Sequence, residues 1–134
     1  YFEKLSGQKL NHPENNILTN FQRWAPDKFN DYKNCYWWPH YDNGYTLLIY
    51  LNHDNKENGL NLYADSDYIK KQFEYFHEHL NPWQNKKHYK LLKHIKTPFN
   101  TAIFFNAKKL LHSCAVNELN YIENHRLSQA MFFA

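Results

Sequence analysis

His40 and Asp42 are separated by one residue and precede Asn43-Gly44 and an apolar run over 45–52. In extended backbone, residues two apart project from the same face, so this imidazole and this carboxylate aim at one point. The same residues also suit a strand-end histidine beside a turn aspartate that caps Asn43-Gly44. A third donor brought in by folding separates the two readings, and His112 is the candidate. Two imidazoles and one carboxylate on one face of an ion form a facial triad suited to Fe(II), which leaves the opposite face open for chemistry.

Arg126 and Ser128 are likewise two apart and share a face of the C-terminal strand expected over 125–133. A guanidinium is a planar fork of donors that matches a carboxylate, and the neighbouring hydroxyl can donate one more bond. Cys114 falls on the same face as His112 by parity, but a thiolate favours zinc or copper over ferrous iron, so it is set aside as a ligand. His77-Glu78-His79 lacks the spacing of a helical zinc motif. His53, His88, His94 and His125 are scattered, as surface or structural histidines are.

The elements that must position these residues are mostly strands. Segment 35–40 reads as a strand with Tyr36, Trp38, His40 and Asp42 on one face. Segment 45–52 is apolar on both faces, as in a strand covered on both sides. Further strands are expected near 59–64, 89–95, 101–106, 111–116 and 125–133, with turns at 53–58, 97–100 and 107–110. One helix, capped at Asp65 or Ser66, carries Ile69, Phe73, Phe76 and Leu80 at helical spacing and ends at Asn81-Pro82. Residues 1–34 are irregular and Asn-rich, with one short strand or helix around the apolar bursts at 17–18 and 21–24; Tyr32 or Tyr36 could line a pocket. About seven short strands with polar turns and one inserted helix give an all-β expectation, a double-stranded β-helix or jelly roll.

Taken in order, His40-x-Asp42, the strand 47–52, Gly59-Leu60-Asn61-Leu62, the segment 98–105, His112 and Arg126-Leu127-Ser128 resemble the 2-oxoglutarate and Fe(II)-dependent dioxygenases, particularly their prolyl 4-hydroxylase-like branch. The resemblance covers about 36–133. It implies that His40, Asp42 and His112 hold Fe(II), and that Arg126 and Ser128 clasp the distal carboxylate of 2-oxoglutarate with the Tyr50 phenol donating to the same group. The spacing of 14 from His112 to Arg126 is longer than in the closest prolyl hydroxylases, which implies a longer turn over 120–124. The carboxylate of Asp42 favours hydroxylation over halogenation. The implied reaction consumes O2 and 2-oxoglutarate, oxidises a C–H bond of a protein or peptide, with a prolyl residue among the candidates, and releases succinate and CO2; ascorbate is a candidate further requirement. A binding-only jelly roll without turnover is one competing reading. Oxidative demethylation of nucleic acid is the other, and it lacks the further C-terminal arginines of such enzymes.

Composition bounds the rest. A chain of 134 residues has room for one domain with its own core, here an oxygenase-like domain spanning 1–134. Aromatic residues make up 19% and only 3 residues are glycine, which points to a core built largely of rings. A formal charge of +3, with adjacent basic pairs such as Lys86-Lys87 and Lys108-Lys109, is too weak for a nucleic-acid footprint. Two cysteines, Cys35 and Cys114, are too few for a disulfide scaffold and are expected as free thiols in a reducing, cytoplasmic setting. No apolar run is long enough for a membrane span and no leader is visible. The start at Tyr1 fits a chain in which elements normally preceding the core lie outside the sequence.

Overall fold

The computed structural model describes residues 2–7, 9, 19–24, 33–52, 59–65, 83–115 and 126–133. In chain order these form a short helix α1 (Phe2–Ser6) and the strands β1 (Thr19–Trp24), β2 (Cys35–Trp37), β3 (Tyr45–Tyr50), β4 (Gly59–Tyr63), β5 (Trp83–Asn85), β6 (Leu91–Lys96), β7 (Thr101–Asn106), β8 (His112–Ala115) and β9 (Arg126–Phe133). The described fold is all-β and antiparallel. One sheet has the order β1-β9-β3-β7, a second has β6-β4-β8, and β2 pairs with β5 as a two-stranded ribbon. A single bridge between His40 and His112 stitches the segment after β2 onto β8.

Alternation along β3 explains how the layers meet. Thr46, Leu48 and Tyr50 lie opposite Phe105, Ile103 and Thr101 of β7 and opposite Phe132, Ala130 and Ser128 of β9, so all point to one face. Leu60 and Leu62 of β4 pair with Cys114 and His112 of β8. Between the sheets, buried Leu60, Phe105 and Ala107 pack with Leu48, Leu62, Ile95 and Ile103. Burying one such leucine contributes about 1.5–3 kcal/mol. The other face of the larger sheet carries Leu47 and Phe133 with Tyr45, Ile49, Phe104 and Met131. The reverse of the smaller sheet is closed by rings, with Tyr63, Tyr89 and Leu111 packed against Tyr36 and Tyr41. At the start of β4 the Ile95 carbonyl fills the space a Cβ on Gly59 would need, so only glycine fits without displacing backbone.

Several boundaries differ from those the sequence suggests. The strand expected over 35–40 stops at Trp37, because Trp38 takes a left-handed conformation with φ 46°. That break resets the alternation. Tyr36 then packs on Tyr63 behind the smaller sheet, ring centroids 4.8 Å apart, away from the pocket it was expected to share with His40. The ribbon strand β5 carries no alternating pattern of its own and is held by pairing with β2, where Trp37 and Trp83 meet edge to face at 4.9 Å. The N-terminal segment, expected to hold one short strand or helix, has both α1 and β1. The helix expected after Asp65, the turns at 53–58 and 120–124, and Tyr32 lie outside the described residues. Neither cysteine is in a disulfide, and no described helix is long and apolar enough to cross a membrane.

Candidate metal centre

His40, Asp42 and His112 come together: one ligand atom from each lies within 4.8 Å of the other two. His40 and Asp42 leave the ribbon in extended backbone just past Trp38, and His112 opens β8 directly across the bridge from His40. Two backbone bonds fix this junction, His40 N–H to His112 O at 2.8 Å and His112 N–H to His40 O at 3.0 Å. Asp42 Oδ1 faces His40 Nε2 at 3.5 Å, and Asp42 Oδ2 faces His112 Nε2 at 3.5 Å. Both spacings can be spanned by one ion with bonds of about 2.0–2.2 Å.

Tautomers decide what these atoms offer. His40 Nδ1 lies 2.7 Å from the Trp38 carbonyl oxygen, and His112 Nδ1 lies 2.9 Å from that of Leu110. A carbonyl can only accept, so each Nδ1 carries the proton in a neutral ring, and each Nε2 presents its lone pair toward Asp42. These contacts are shorter than the 3.5 Å approaches to the carboxylate, which favours this assignment over its reverse. Two lone pairs and a carboxylate facing one point repel one another, and a divalent cation converts that repulsion into bonding. Ring N–H groups held by backbone carbonyls are how metal-ligating histidines are oriented.

Asp42 is held below the ordinary carboxylate range: burial pushes its carboxyl up, but donation from the His112 and His40 rings when they are protonated at Nε2, the Thr46 hydroxyl and the charge of protonated His40 outweigh it. Burial pushes His112 below the ordinary imidazole value, with His40 adding to it, against the upward pull of Asp42 and the Leu110 carbonyl. Near neutral pH the centre therefore offers a carboxylate and a neutral His112, the forms that bind metal. Thr46 on β3 donates to Asp42 Oδ2 at 2.6 Å. The sequence held one hint of this role, since Thr46 is a polar residue on the otherwise inward-facing side of β3 with Leu48 and Tyr50.

The centre opens into a cavity of about 240 Å³ whose lining includes Trp38, His40, Asp42, His112, Cys114 and Arg126. Arg126 is buried at 2% exposure, with Nη1 3.3 Å from Ser128 Oγ and its guanidinium over the Tyr50 ring, 5.3 Å from the centroid. Arg126, Ser128 and Tyr50 thus lie in contact inside the fold, and Arg126 shares a cavity with the His-Asp-His cluster. Burial pushes the Tyr50 phenol up to about 12 despite Arg126. Arg126 and Thr97 lie near enough to draw that value back down, yet the Tyr50 and Thr97 hydroxyls, both buried, meet no hydrogen-bond partner among the described residues. Thr97 had no signal in the sequence beyond its place ahead of Pro98. Cys114 lines the cavity as parity indicated, and burial pushes its thiol up against the charge of Arg126. His94 Nδ1 lies 2.9 Å from Asn61 Oδ1.

Comparison with family models, with curated proteins and with solved structures finds no match, so the centre is read from its own geometry.

Proposed function

We propose that this chain is a 2-oxoglutarate- and Fe(II)-dependent oxygenase that hydroxylates an unactivated C–H bond, built on a double-stranded β-helix. The observation that carries the reading is the pairing of two sites in one cavity: the cluster of His40, Asp42 and His112 and, set apart from it, buried Arg126. The strand orders β1-β9-β3-β7 and β6-β4-β8, the latter extended by the His40 bridge, support the jelly roll because early and late strands interleave in both layers.

Each residue has a task under this reading. His40, Asp42 and His112 would hold Fe(II) by two neutral nitrogens and one anionic oxygen, a donor set that suits it better than a thiolate-rich site would. Fe(II), when bound, supplies activation of O2 coupled to decarboxylation of 2-oxoglutarate, so that O2, 2-oxoglutarate and a C–H group become succinate, CO2 and an alcohol. Arg126 would receive the far carboxylate of 2-oxoglutarate as a charge-assisted fork, and Ser128 would steady the guanidinium. The unpartnered hydroxyls of Tyr50 and Thr97 are suited to donate to the same carboxylate, which would relieve two buried polar groups at once. Leu48, Leu60 and Phe132 give the cavity apolar walls that exclude water. Ascorbate would serve to keep the iron reduced.

The test is succinate formation from 2-oxoglutarate with Fe(II) and ascorbate, in air and under argon. Oxygen-dependent succinate that disappears in Asp42→Ala supports the assignment. Tight binding of metal and 2-oxoglutarate with no succinate across a panel of peptides would leave a binding protein instead.

A further inference from the structure

One register row of the larger sheet is polar across all four strands. Gln22 of β1 lies opposite Ser128 of β9, Ser128 opposite Tyr50 of β3, and Tyr50 opposite Thr101 of β7. Directly opposed residues of an antiparallel pair project from the same face, so these four side chains stand beside one another on the face that carries Thr46 and Leu48 to the cavity. The next row along, Ala130, Leu48 and Ile103, is apolar. Ser128 and Tyr50 are almost fully buried, at 1% and 3% exposure, and taking such groups out of water is costly unless they are partnered. Apolar side chains would fill the row at lower cost, so its polarity points to something that it serves. Buried Arg126, two residues before Ser128, is that group.

Proton counting fixes the direction of the contacts along the row. A guanidinium only donates, so the 3.3 Å contact from Arg126 Nη1 to Ser128 Oγ uses a lone pair of the serine. The single serine proton is then directed at Gln22 Oε1, 3.4 Å away. Gln22 is half-buried and lines the cavity together with Arg126. We infer that Gln22 is a positioning residue for the carboxylate end of the cavity: its amide oxygen holds the Ser128 hydroxyl, whose lone pair aims the Arg126 guanidinium at the co-substrate. Ser128 relays this hold and spends its proton on Gln22 instead of on the incoming carboxylate. Gln22 precedes 36–133, the part of the chain that resembles known oxygenases, so the resemblance assigns it nothing. The inference rests on the oxygenase reading for its co-substrate and on the register of β1 with β9 for its geometry. Both contacts are at the long end for hydrogen bonds, so the expected effect is modest.

The experiment compares wild type with Gln22→Met, which keeps the length of the side chain without its acceptor, with Gln22→Glu, which keeps an accepting oxygen, with Ser128→Ala, and with the Gln22→Met, Ser128→Ala double variant. Two quantities are read: the dissociation constant of 2-oxoglutarate on the cobalt-loaded chain, and, on the metal-free chain, the guanidinium N–H resonances of Arg126, identified by their loss in Arg126→Lys. Gln22→Met should bind 2-oxoglutarate about 3- to 10-fold more weakly with unchanged Co(II) affinity, and the double variant should lose no more than Ser128→Ala alone, because the two groups act in series. The Arg126 resonances, separate in wild type, should broaden and merge in Gln22→Met and Ser128→Ala. Gln22→Glu should restore them without restoring 2-oxoglutarate affinity, since its charge competes for the same guanidinium. Wild-type affinity for 2-oxoglutarate in Gln22→Met would overturn the inference. Arg126 resonances that are alike in Gln22→Met and Gln22→Glu would do the same, and so would a Gln22→Met chain whose Co(II) affinity and melting temperature fall along with 2-oxoglutarate binding. If wild type binds no 2-oxoglutarate, the oxygenase reading fails, and the Arg126 resonances alone then decide whether Gln22 holds the guanidinium.

Discussion

The Thr46 hydroxyl reaches across from β3 to donate to Asp42 Oδ2 at 2.6 Å, while the same oxygen faces His112 Nε2 at 3.5 Å. Thr46 is almost fully buried, at 1% exposure, so this bond is formed away from water and orients the carboxylate before any metal arrives.

Thr46→Val keeps the shape of the side chain and removes the donor. Metal affinity should fall by about 10–100-fold, the usual effect of deleting a group that orients a ligand, while the fold persists. Competition of Co(II) binding against a chromophoric chelator reads this directly. Unchanged affinity would mean that Asp42 is held by its backbone alone.

Metal binding should stabilise the chain through the same three residues. Cobalt at about a hundred times its dissociation constant adds about 2.7 kcal/mol to unfolding. Asp42→Asn keeps an oxygen that can accept from Thr46, so its metal-free melting temperature should change little, but most of the metal-induced rise should vanish. His112→Ala should lose that rise as well. If either variant is stabilised by cobalt as much as wild type, the ion binds elsewhere.

Much of this centre was legible in the sequence because strand parity is local. His40 with Asp42, Arg126 with Ser128, and Cys114 with His112 each follow from residues two apart, and the sheets bring the pairs together. Where parity broke, the reading lost its guide. The left-handed backbone at Trp38 has no signature in a run of aromatic residues, so parity alone puts Tyr36 on the His40 face, whereas it packs on Tyr63. The carbonyls of Trp38 and Leu110 that fix both imidazoles are backbone groups, common to every residue type, and only a fold shows where they point. Thr97 was hidden for another reason, since a threonine ahead of proline reads as a turn and its burial beside Tyr50 depends on contacts between distant strands.

Tyr50 gives a test at alkaline pH. Burial pushes its phenol from the ordinary 10.0 to about 12, against the charge of Arg126. Between these values the folded chain keeps a proton that the unfolded chain has released, so stability is full below about pH 10 and falls as pH rises toward about 12. Two units at about 1.4 kcal/mol each set the loss at about 3 kcal/mol at most. Tyr41 and Tyr63 are raised in the same direction, so the diagnostic quantity is the difference between wild type and Tyr50→Phe. Urea unfolding on either side of pH 10 should show the variant losing less stability than wild type. Equal losses would show that Tyr50 ionises as an exposed phenol does.

Arg126 offers a test that separates co-substrate binding from metal binding under the proposed function. Its guanidinium, buried against Tyr50 and Ser128, lies in the cavity but outside the three-residue cluster. Arg126→Ala should weaken 2-oxoglutarate by about 3–5 kcal/mol, the cost of leaving the incoming carboxylate without its partner in a desolvated pocket. Cobalt affinity should change far less. Arg126→Lys restores the charge but not the planar fork, so recovery should be partial. Titrating 2-oxoglutarate into the cobalt-loaded proteins, and following the cobalt absorption, reads both quantities in one sample. Equal 2-oxoglutarate affinity in wild type and Arg126→Ala would remove Arg126 from the site. A parallel loss of cobalt and 2-oxoglutarate would instead mean that Arg126 supports the packing of β9 against β3, and that the carboxylate is received elsewhere in the cavity.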